Sequence, residues 1–283
     1  MSEPVPAYSG RAAALATRHG KLELIGPALA PLGLEVVVAE VDTDAFGTFT
    51  GEVPRKGPPL EVAKRKARAA MAATGLDAGL ASEGSFGPHP EIPFVTADVE
   101  LVVLVDDRLG LTVHEGALGL ETAAAGITVG AEAETELGEF CRRVGFPEQA
   151  LICRPGDGGH SRIFKAIRDP ATLWSAVRSA AGASKDHLAV VETDLRAHLC
   201  PTRRLVIAEA ATRLAARLRR RCPACGAPGF GSVSHEPGLP CELCGRPTEL
   251  ARSRTESCPG CGHGESVAVE GRADATYCAH CNP

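Results

Sequence analysis

The pattern of apolar positions predicts strands separated by helices. Residues 11–17 and 34–40 are strand-like, and the second run is nearly continuously apolar, as expected for a strand covered on both faces. The run 99–105 is the most apolar and is expected at the centre of the sheet. Between these runs, helices are predicted over 21–30 and over 58–75, where a proline pair begins the helix and Gly75 ends it.

The second half of the chain continues the same alternation. A turn over 106–110 predicts a hairpin that returns antiparallel over 111–115, so the sheet is expected to be mixed. Residues 121–130 are rich in alanine and glycine and predict a linker, with a possible sub-boundary there. Further helices are expected over 134–144, 170–181 and 201–221, and strands over 150–153, 163–167 and 188–200. The predicted fold class is α/β, a mixed, largely parallel sheet flanked by helices, over residues 1–221.

The segment 80–90, LASEGSFGPHP, is polar and glycine-rich but directly continues an apolar strand predicted over 77–81. We interpret it as an active-site loop, because glycine lets backbone approach a ligand closely and the two prolines stiffen its C-terminal end. It would present the carboxylate of Glu83 with the hydroxyls of Ser82 and Ser85. A second long segment, 41–56, has no helical or strand period, and for a loop of this length we favour a functional role.

Three further patterns carry alternative interpretations. The turn before the helix over 21–30 places backbone amides and Lys21 where an anion would bind, although on this motif alone a solvated lysine at a helix start is the favoured interpretation. A period of two over 188–200 would put four reactive side chains on one strand face: Asp194, Arg196, His198 and Cys200. They form a possible second site, unless an ion pair at the sheet rim accounts for the pattern. The basic end of the helix over 201–221 complements the helix dipole or contacts nucleic acid.

Composition excludes several classes of protein. The chain has 283 residues and a formal net charge of −5, which gives no whole-chain argument for binding nucleic acid or an anionic membrane. No apolar run approaches the roughly 20 residues of a membrane helix, and the N-terminus lacks a signal pattern. We therefore expect a soluble, cytoplasmic protein without a membrane partner.

Cysteine spacing predicts metal sites in a separate C-terminal domain over residues 222–283. Eight of the eleven cysteines form four Cys-x-x-Cys pairs: Cys222/Cys225, Cys241/Cys244, Cys258/Cys261 and Cys278/Cys281. Two such pairs complete the tetrahedron of a closed structural zinc site, so two structural Zn²⁺ ions are expected in a double zinc-ribbon domain. Sequential pairing is favoured slightly, while cross-brace and nested pairings use the same turns. The remaining three cysteines are expected to be small buried hydrophobes.

Several segments together resemble a bacterial family described only as a domain of unknown function. They are ATRHGK, DTDAFGTFTGE, LASEGSFGPHP, ETDLRAH followed by PTR, and a tail ending in CAHCNP. The resemblance covers nearly the whole chain and implies no activity.

A second, more distant resemblance covers residues 14–90 and is to the inosine-triphosphatase-like pyrophosphatases. Matching positions form three elements in the family's order: Ala16, Thr17, His19 and Lys21; Gly47, Thr48, Phe49, Lys66, Ala67, Thr74 and Gly75; and Ala81, Glu83 and Ser85. The chain departs from the family where His19 replaces an asparagine and where Ser82 and Glu83 replace two aspartates.

This second resemblance implies metal-assisted hydrolysis of a nucleotide or another phosphate ester, with Mg²⁺ on the phosphates. Phosphate would be held by Thr17, His19, Lys21 and Arg55. Glu52 and Glu83 would bind the metal or activate water, Ser85 would orient the substrate, and Asp42 and Asp44 are reserve metal ligands.

A hypothesis of a different class is a non-catalytic protein. Its α/β part would hold a small ligand, and its zinc ribbons would contact a protein or nucleic-acid partner.

Overall fold

The computed structural model describes residues 8–48, 53–89, 92–158 and 163–282. In chain order its strands and helices are β1 (Arg11–Ala16), α1 (Leu22–Leu29), β2 (Leu34–Ala39), α2 (Pro59–Thr74), β3 (Ala78–Pro88), β4 (Thr96–Asp106), β5 (Leu111–Gly119), β6 (Gly126–Gly130), α3 (Glu134–Val144), β7 (Leu151–Pro155), β8 (Phe164–Ile167), α4 (Pro170–Ala183), β9 (Leu188–Thr193), α5 (Pro201–Arg219), β10 (Gly231–Pro237), β11 (Ala251–Ser257) and β12 (Gly264–Ala268). No helix within these ranges has the length and apolar character to cross a membrane.

Five strands form the first sheet, in the order β2-β1-β3-β4-β5. Strand β1 runs parallel to β2 and β3, whereas β3, β4 and β5 are paired antiparallel. Helices α1 and α5 cover one face, where Ile25 and Ile207 are buried, and α2 covers the other with Ala67 and Ala70. The predicted mixed α/β architecture is confirmed, although only two of the four strand pairings in this sheet are parallel, so it is not largely parallel.

The segment LASEGSFGPHP is mainly strand, and its interpretation as a loop is wrong. Strand β3 continues through it and pairs with β4 from Ala78–Asp106 to Pro88–Thr96. Its glycines are tolerated because β4 supplies an uninterrupted antiparallel partner. The strand is also the central one of the sheet, the place that we expected for β4.

The prediction that strand β2 is covered on both faces is wrong. Val37 and Val38 point to opposite faces of the sheet and are 39% and 44% exposed. Strand β2 is also the edge strand of the sheet. An apolar run therefore marked a strand correctly but overstated its burial.

The second sheet has the order β6-β9-β7-β8 and is antiparallel throughout. It packs with α3 and α4 around a core that includes Phe140, Leu151 and Val191. The chain enters this sheet after the segment 120–125, and β6 occupies residues that we expected to be linker. Helix α5 then brings the chain back to the first sheet.

Strand β9 ends at Thr193, so the predicted strand over 188–200 is too long. Asp194 interrupts it because its buried carboxylate accepts hydrogen bonds from the backbone amides of Ala166 and Arg196, both at 3.2 Å. A single 3-10 turn, Ala197–Leu199, comes next. The period-two arrangement of reactive side chains on one strand face is therefore wrong.

The C-terminal segment is a three-stranded antiparallel sheet, β10-β11-β12, that packs against α5 and β5. Arg217 Nε donates to the carbonyl of Gly229 at 3.0 Å, and the Arg220 guanidinium pairs with Glu256. Gly229 approaches Val113 so closely that a Cβ atom there would lie 2.6 Å from a methyl group. These contacts attach the C-terminal sheet to the first sheet.

Candidate metal centres and anion cleft

Two groups of four cysteines bring their sulfur atoms together in the C-terminal sheet. Within each group the sulfurs lie within 4.8 Å of one another; the groups are Cys222, Cys225, Cys258 and Cys261, and Cys241, Cys244, Cys278 and Cys281. Each group could hold one metal ion, and four thiolates are the ligand set of a closed zinc site. The first and third Cys-x-x-Cys pairs meet, as do the second and fourth. The expected sequential pairing is therefore wrong.

Strand pairing explains the crossed arrangement. Gly231 of β10 lies opposite Ser257 of β11, so the pair that precedes β10 and the pair that comes after β11 meet at the same end of the sheet. Pro237 and Ala251 lie at the opposite end, where the second pair comes after β10. A parallel bridge between Cys241 and Ala273 brings the fourth pair to that end.

Each Cys-x-x-Cys turn is shaped by a backbone hydrogen bond. In the first three turns, a glycine with φ between 72° and 74° closes the turn with an N–H bond to the carbonyl of the first cysteine; these are Gly226, Gly245 and Gly262. In the fourth turn Asn282 makes this bond at 2.9 Å. Backbone N–H groups of Cys281 and His280 lower the pKa of Cys278 to about 7, which favours its metal-binding form.

A cleft lies in the first sheet beyond the carboxyl end of β1. Strand order reverses here, since β2 lies on one side of β1 and β3 on the other, with α1 and α2 on opposite faces. Strand β1 pairs with β3 only at Ala14–Gly79 and Leu15–Leu80, so β3 continues beyond it and forms one wall. Such a reversal point is the usual ligand site of an open α/β sheet.

The cleft has a volume of about 100 Å³ and is lined by more cationic than acidic side chains. Six lysines and arginines line it, namely Arg18, Lys21, Lys66, Lys165, Arg196 and Arg203, against two acids, Asp44 and Glu83. This excess of cations contrasts with the net charge of −5 for the whole chain. An adjoining hollow of about 250 Å³ shares Glu83 and is also lined by Arg55, Ser85 and Phe86.

A buried ion pair occupies the centre of the cleft. Lys66 of α2 donates to the Glu83 carboxylate, and their side chains are only 11% and 7% exposed. Arg55 lies 3.6 Å from the same carboxylate and donates to the carbonyl of Gly84 at 3.0 Å. Glu83 is therefore held between two cations rather than in a cluster of acids.

Lys21 approaches from the opposite face of the sheet. Its Nζ donates to Ser82 Oγ at 2.8 Å, and no carboxylate in the described residues lies within ion-pair distance of it. Burial, followed by the positive charge of Arg203, lowers the pKa of Lys21 to about 8. A substantial fraction of this amine is therefore neutral near physiological pH.

The floor of the cleft is a buried polar cluster. The Arg203 guanidinium, 1% exposed, pairs with the buried carboxylate of Glu100. Gly84 is required beside it, because a Cβ atom there would lie 1.9 Å from Glu100 Oε1. Burial, followed by the charge of Glu100, raises the pKa of the neighbouring Asp98 to about 7.

The predicted second site borders the same cleft. Arg196 lines the cleft and forms an ion pair with buried Asp194, and the His198 ring stacks on His19 with 4.9 Å between centroids. Burial, followed by the charge of His198, lowers the pKa of His19 to about 4. This imidazole is therefore neutral at physiological pH. The predicted phosphate-binding residues and the predicted second site therefore lie together at one cleft.

The outcome for the remaining predicted residues is mixed. Thr17 lines the cleft, and Asp42 pairs with Arg18 at 2.8 Å instead of facing Glu83. Glu52 lies outside the described residues. Cys200 is buried in the core, as expected for a small hydrophobe.

Four cationic residues of the cleft were not predicted as ligand contacts: Lys66 was matched only as part of a motif, and Arg18, Lys165 and Arg203 were not singled out. Only Lys66 carried a signal in the sequence, because it interrupts the apolar stripe of α2, where the structure buries it.

The fold and the two kinds of site define a class, an α/β protein with a cationic cleft and a C-terminal pair of cross-braced cysteine tetrads. The chain belongs to the family described as a domain of unknown function, DUF6671, whose model matches residues 66–283. No curated protein matches the chain.

Proposed function

We propose that the cleft binds the phosphate groups of a nucleotide or another phosphate ester and that the protein hydrolyses this ligand. The observation that carries the proposal is the ring of six cationic side chains around a cleft with two acids. Lysine and arginine side chains offset the charge of phosphate in the ground state and the transition state. The resemblance of residues 14–90 to the inosine-triphosphatase-like pyrophosphatases supports the same ligand class.

In this proposal Lys21, with His19 and Arg55 close by, binds phosphate, and Thr17 contributes its hydroxyl. Arg196 and Lys165 add positive charge from the side of the second sheet. Glu83 is the group that orients or deprotonates the attacking water, and Ser85 in the adjoining hollow orients the rest of the ligand. Glu83 lines both the cleft and the hollow, so a ligand that extends from one into the other would pass this carboxylate.

Magnesium does not fit the described acids well. Apart from the two cysteine tetrads, the described part of the chain contains no group of three His, Cys, Asp or Glu side chains that could share an ion. The Glu83 carboxylate already contacts Lys66 and lies near Arg55. We therefore assign charge compensation to the lysines and arginines and no catalytic step to Mg²⁺.

The test is hydrolysis of a panel of nucleoside triphosphates and simple phosphate esters, with and without added Mg²⁺. We expect release of phosphate or pyrophosphate by the wild type and its loss in Glu83→Gln, which preserves the size of the side chain. Lys64→Gln is the matched control, because Lys64 is on α2 but pairs with Glu61 on the surface. Absence of release from every compound would refute the hydrolase proposal.

A second candidate is partner binding through the cysteine-rich sheet. Leu243 and Tyr277, next to the second tetrad, are 74% and 60% exposed, and such side chains are typical of contact surfaces. A pull-down with Leu243→Ser/Tyr277→Ser tests it. Unchanged capture of every partner by this variant would refute it.

A further inference from the structure

Lys21 differs from the other cations of the cleft in its surroundings. Lys66 is neutralised by Glu83, and Arg203 by Glu100. Lys21 instead has a hydroxyl partner, Ser82, and no carboxylate at ion-pair distance in the portion of the chain that the structure describes. A desolvated lysine next to other cations is the environment that makes an amine nucleophilic.

We propose that Lys21 forms a reversible imine with a phosphorylated aldehyde or ketone bound in the cleft. The inference rests on the anion-binding part of the proposed function and narrows the ligand to a phosphate ester with a reactive carbonyl, so that Lys21 contacts the carbonyl group instead of the phosphate. Arg196 and Lys165 would hold the phosphate, while the carbonyl carbon would lie at Lys21 Nζ beside Ser82.

The reaction is a condensation that needs no redox partner. The neutral amine attacks the carbonyl carbon, a new C–N bond forms, and a proton moves from nitrogen to the former carbonyl oxygen. That oxygen, now a hydroxyl, leaves as water with the second proton of the nitrogen, which gives the neutral imine, and uptake of a proton from solvent gives its protonated form. The Ser82 hydroxyl, which accepts the hydrogen bond from Nζ at 2.8 Å, is placed to relay the proton.

The charged groups that face Lys21 set the pH at which it reacts. Arg203 of α5 and Lys66 of α2 favour the neutral amine, in addition to burial, whereas Glu100 of β4 and Glu83 of β3 oppose them. With a pKa of about 8, Lys21 is about half neutral at about pH 8, where an ordinary lysine is almost fully protonated. Reaction should therefore be selective for Lys21 among the six lysines of the chain.

The test uses pyridoxal 5′-phosphate as the probe, with borohydride to reduce the imine to a stable secondary amine. The full-length protein is treated at about pH 7 and about pH 8, and the modified lysines are identified by peptide mass spectrometry. We expect Lys21 to be modified at least ten times faster than exposed Lys64 and Lys185, with protection by inorganic phosphate. The Lys21→Arg variant should lose this modification, and Lys64→Arg should keep it.

Phosphate binding is measured in parallel by calorimetry on the wild type and Lys21→Arg, after thermal melting has established that the variant is folded. Modification spread evenly over the lysines, or concentrated on Lys165 or Lys66, would overturn the imine proposal. If the wild type still binds phosphate in that case, the anion-binding proposal stands alone. If neither phosphate binding nor selective modification is observed, both proposals fail.

Discussion

The cysteine tetrads and the anion cleft are assembled in different ways. Each tetrad is built from two local turns, and the two cysteines of a turn are three positions apart. The cleft collects side chains from segments as distant as Arg18 and Arg203, on both faces of one sheet and from the edge of a second. Local spacing therefore encodes the first kind of site, whereas topology creates the second.

The two sites also differ in the groups that compensate their buried charges. In each tetrad, thiolates would be compensated by the metal ion. In the cleft, the compensation comes from side chains alone, through the pairs Lys66–Glu83 and Arg203–Glu100. Loss of one ligand should therefore disrupt a tetrad completely, whereas loss of one cleft residue should leave a folded protein with a weaker or altered site.

The largest effect is expected for Cys258→Ser. Cys258 packs with Cys222 and Phe230 where the C-terminal sheet meets α5, and zinc binding at such sites contributes on the order of 10 kcal/mol to folding. We expect bound zinc, measured by elemental analysis, to fall from two ions per chain to one, with a lower melting temperature. Cys141→Ser, outside the tetrads, is the control that should retain both ions. Two ions in Cys258→Ser would show that the tetrad is not a four-ligand site.

The next largest effect is expected for Lys66→Ala. Removing one partner of a buried ion pair leaves Glu83 uncompensated except by Arg55, at a cost of about 3 kcal/mol in the free energy of unfolding. Lys64→Ala on the same helix removes a surface pair with Glu61 and should cost less than about 1 kcal/mol. Urea titration measures both. Equal losses would mean that the pair does not form in a buried environment.

The sequence predicts the cysteine tetrads better than the cleft, because the tetrads are built from local turns and the cleft is assembled by the topology. The four Cys-x-x-Cys turns were identified correctly, but their pairing depends on the β10–β11 register, which the spacing does not contain. In the cleft, Lys21 and Glu83 were recognised from local segments, whereas Lys165 and Arg203 are brought there by the second sheet and by the return of α5 to the first. The segment LASEGSFGPHP was misread because pairing with β4 makes this glycine-rich stretch a strand.

A smaller effect, on the cleft floor, is expected for Gly84→Ala. The added Cβ would lie 1.9 Å from Glu100 Oε1, and Glu100 is fixed by Arg203, so the strand or the ion pair must shift at a cost of about 2 kcal/mol. Gly87→Ala on the same strand has no atom within 4 Å of the new Cβ and should be nearly neutral. Thermal melting compares them. A neutral Gly84→Ala would mean that Glu100 is not held against β3.

The last effect, that of Asp98→Asn, should depend on pH and be smallest near pH 4. The pKa of Asp98 is raised from 3.8 to about 7 by burial and then by Glu100, so the folded state favours the neutral acid. Wild-type stability should therefore decrease as the pH rises from about 4 to about 7 and change little from this source above that. Asparagine is neutral at every pH, so the stability of the variant relative to the wild type should increase as the pH rises from about 4 to about 7. Asp107→Asn, which removes an exposed pair with Arg68, should show no such pH-dependent gain. The measurement is urea unfolding across this pH range. If Asp98→Asn stabilises the protein equally at every pH, the effect comes from packing and not from the charge of Asp98.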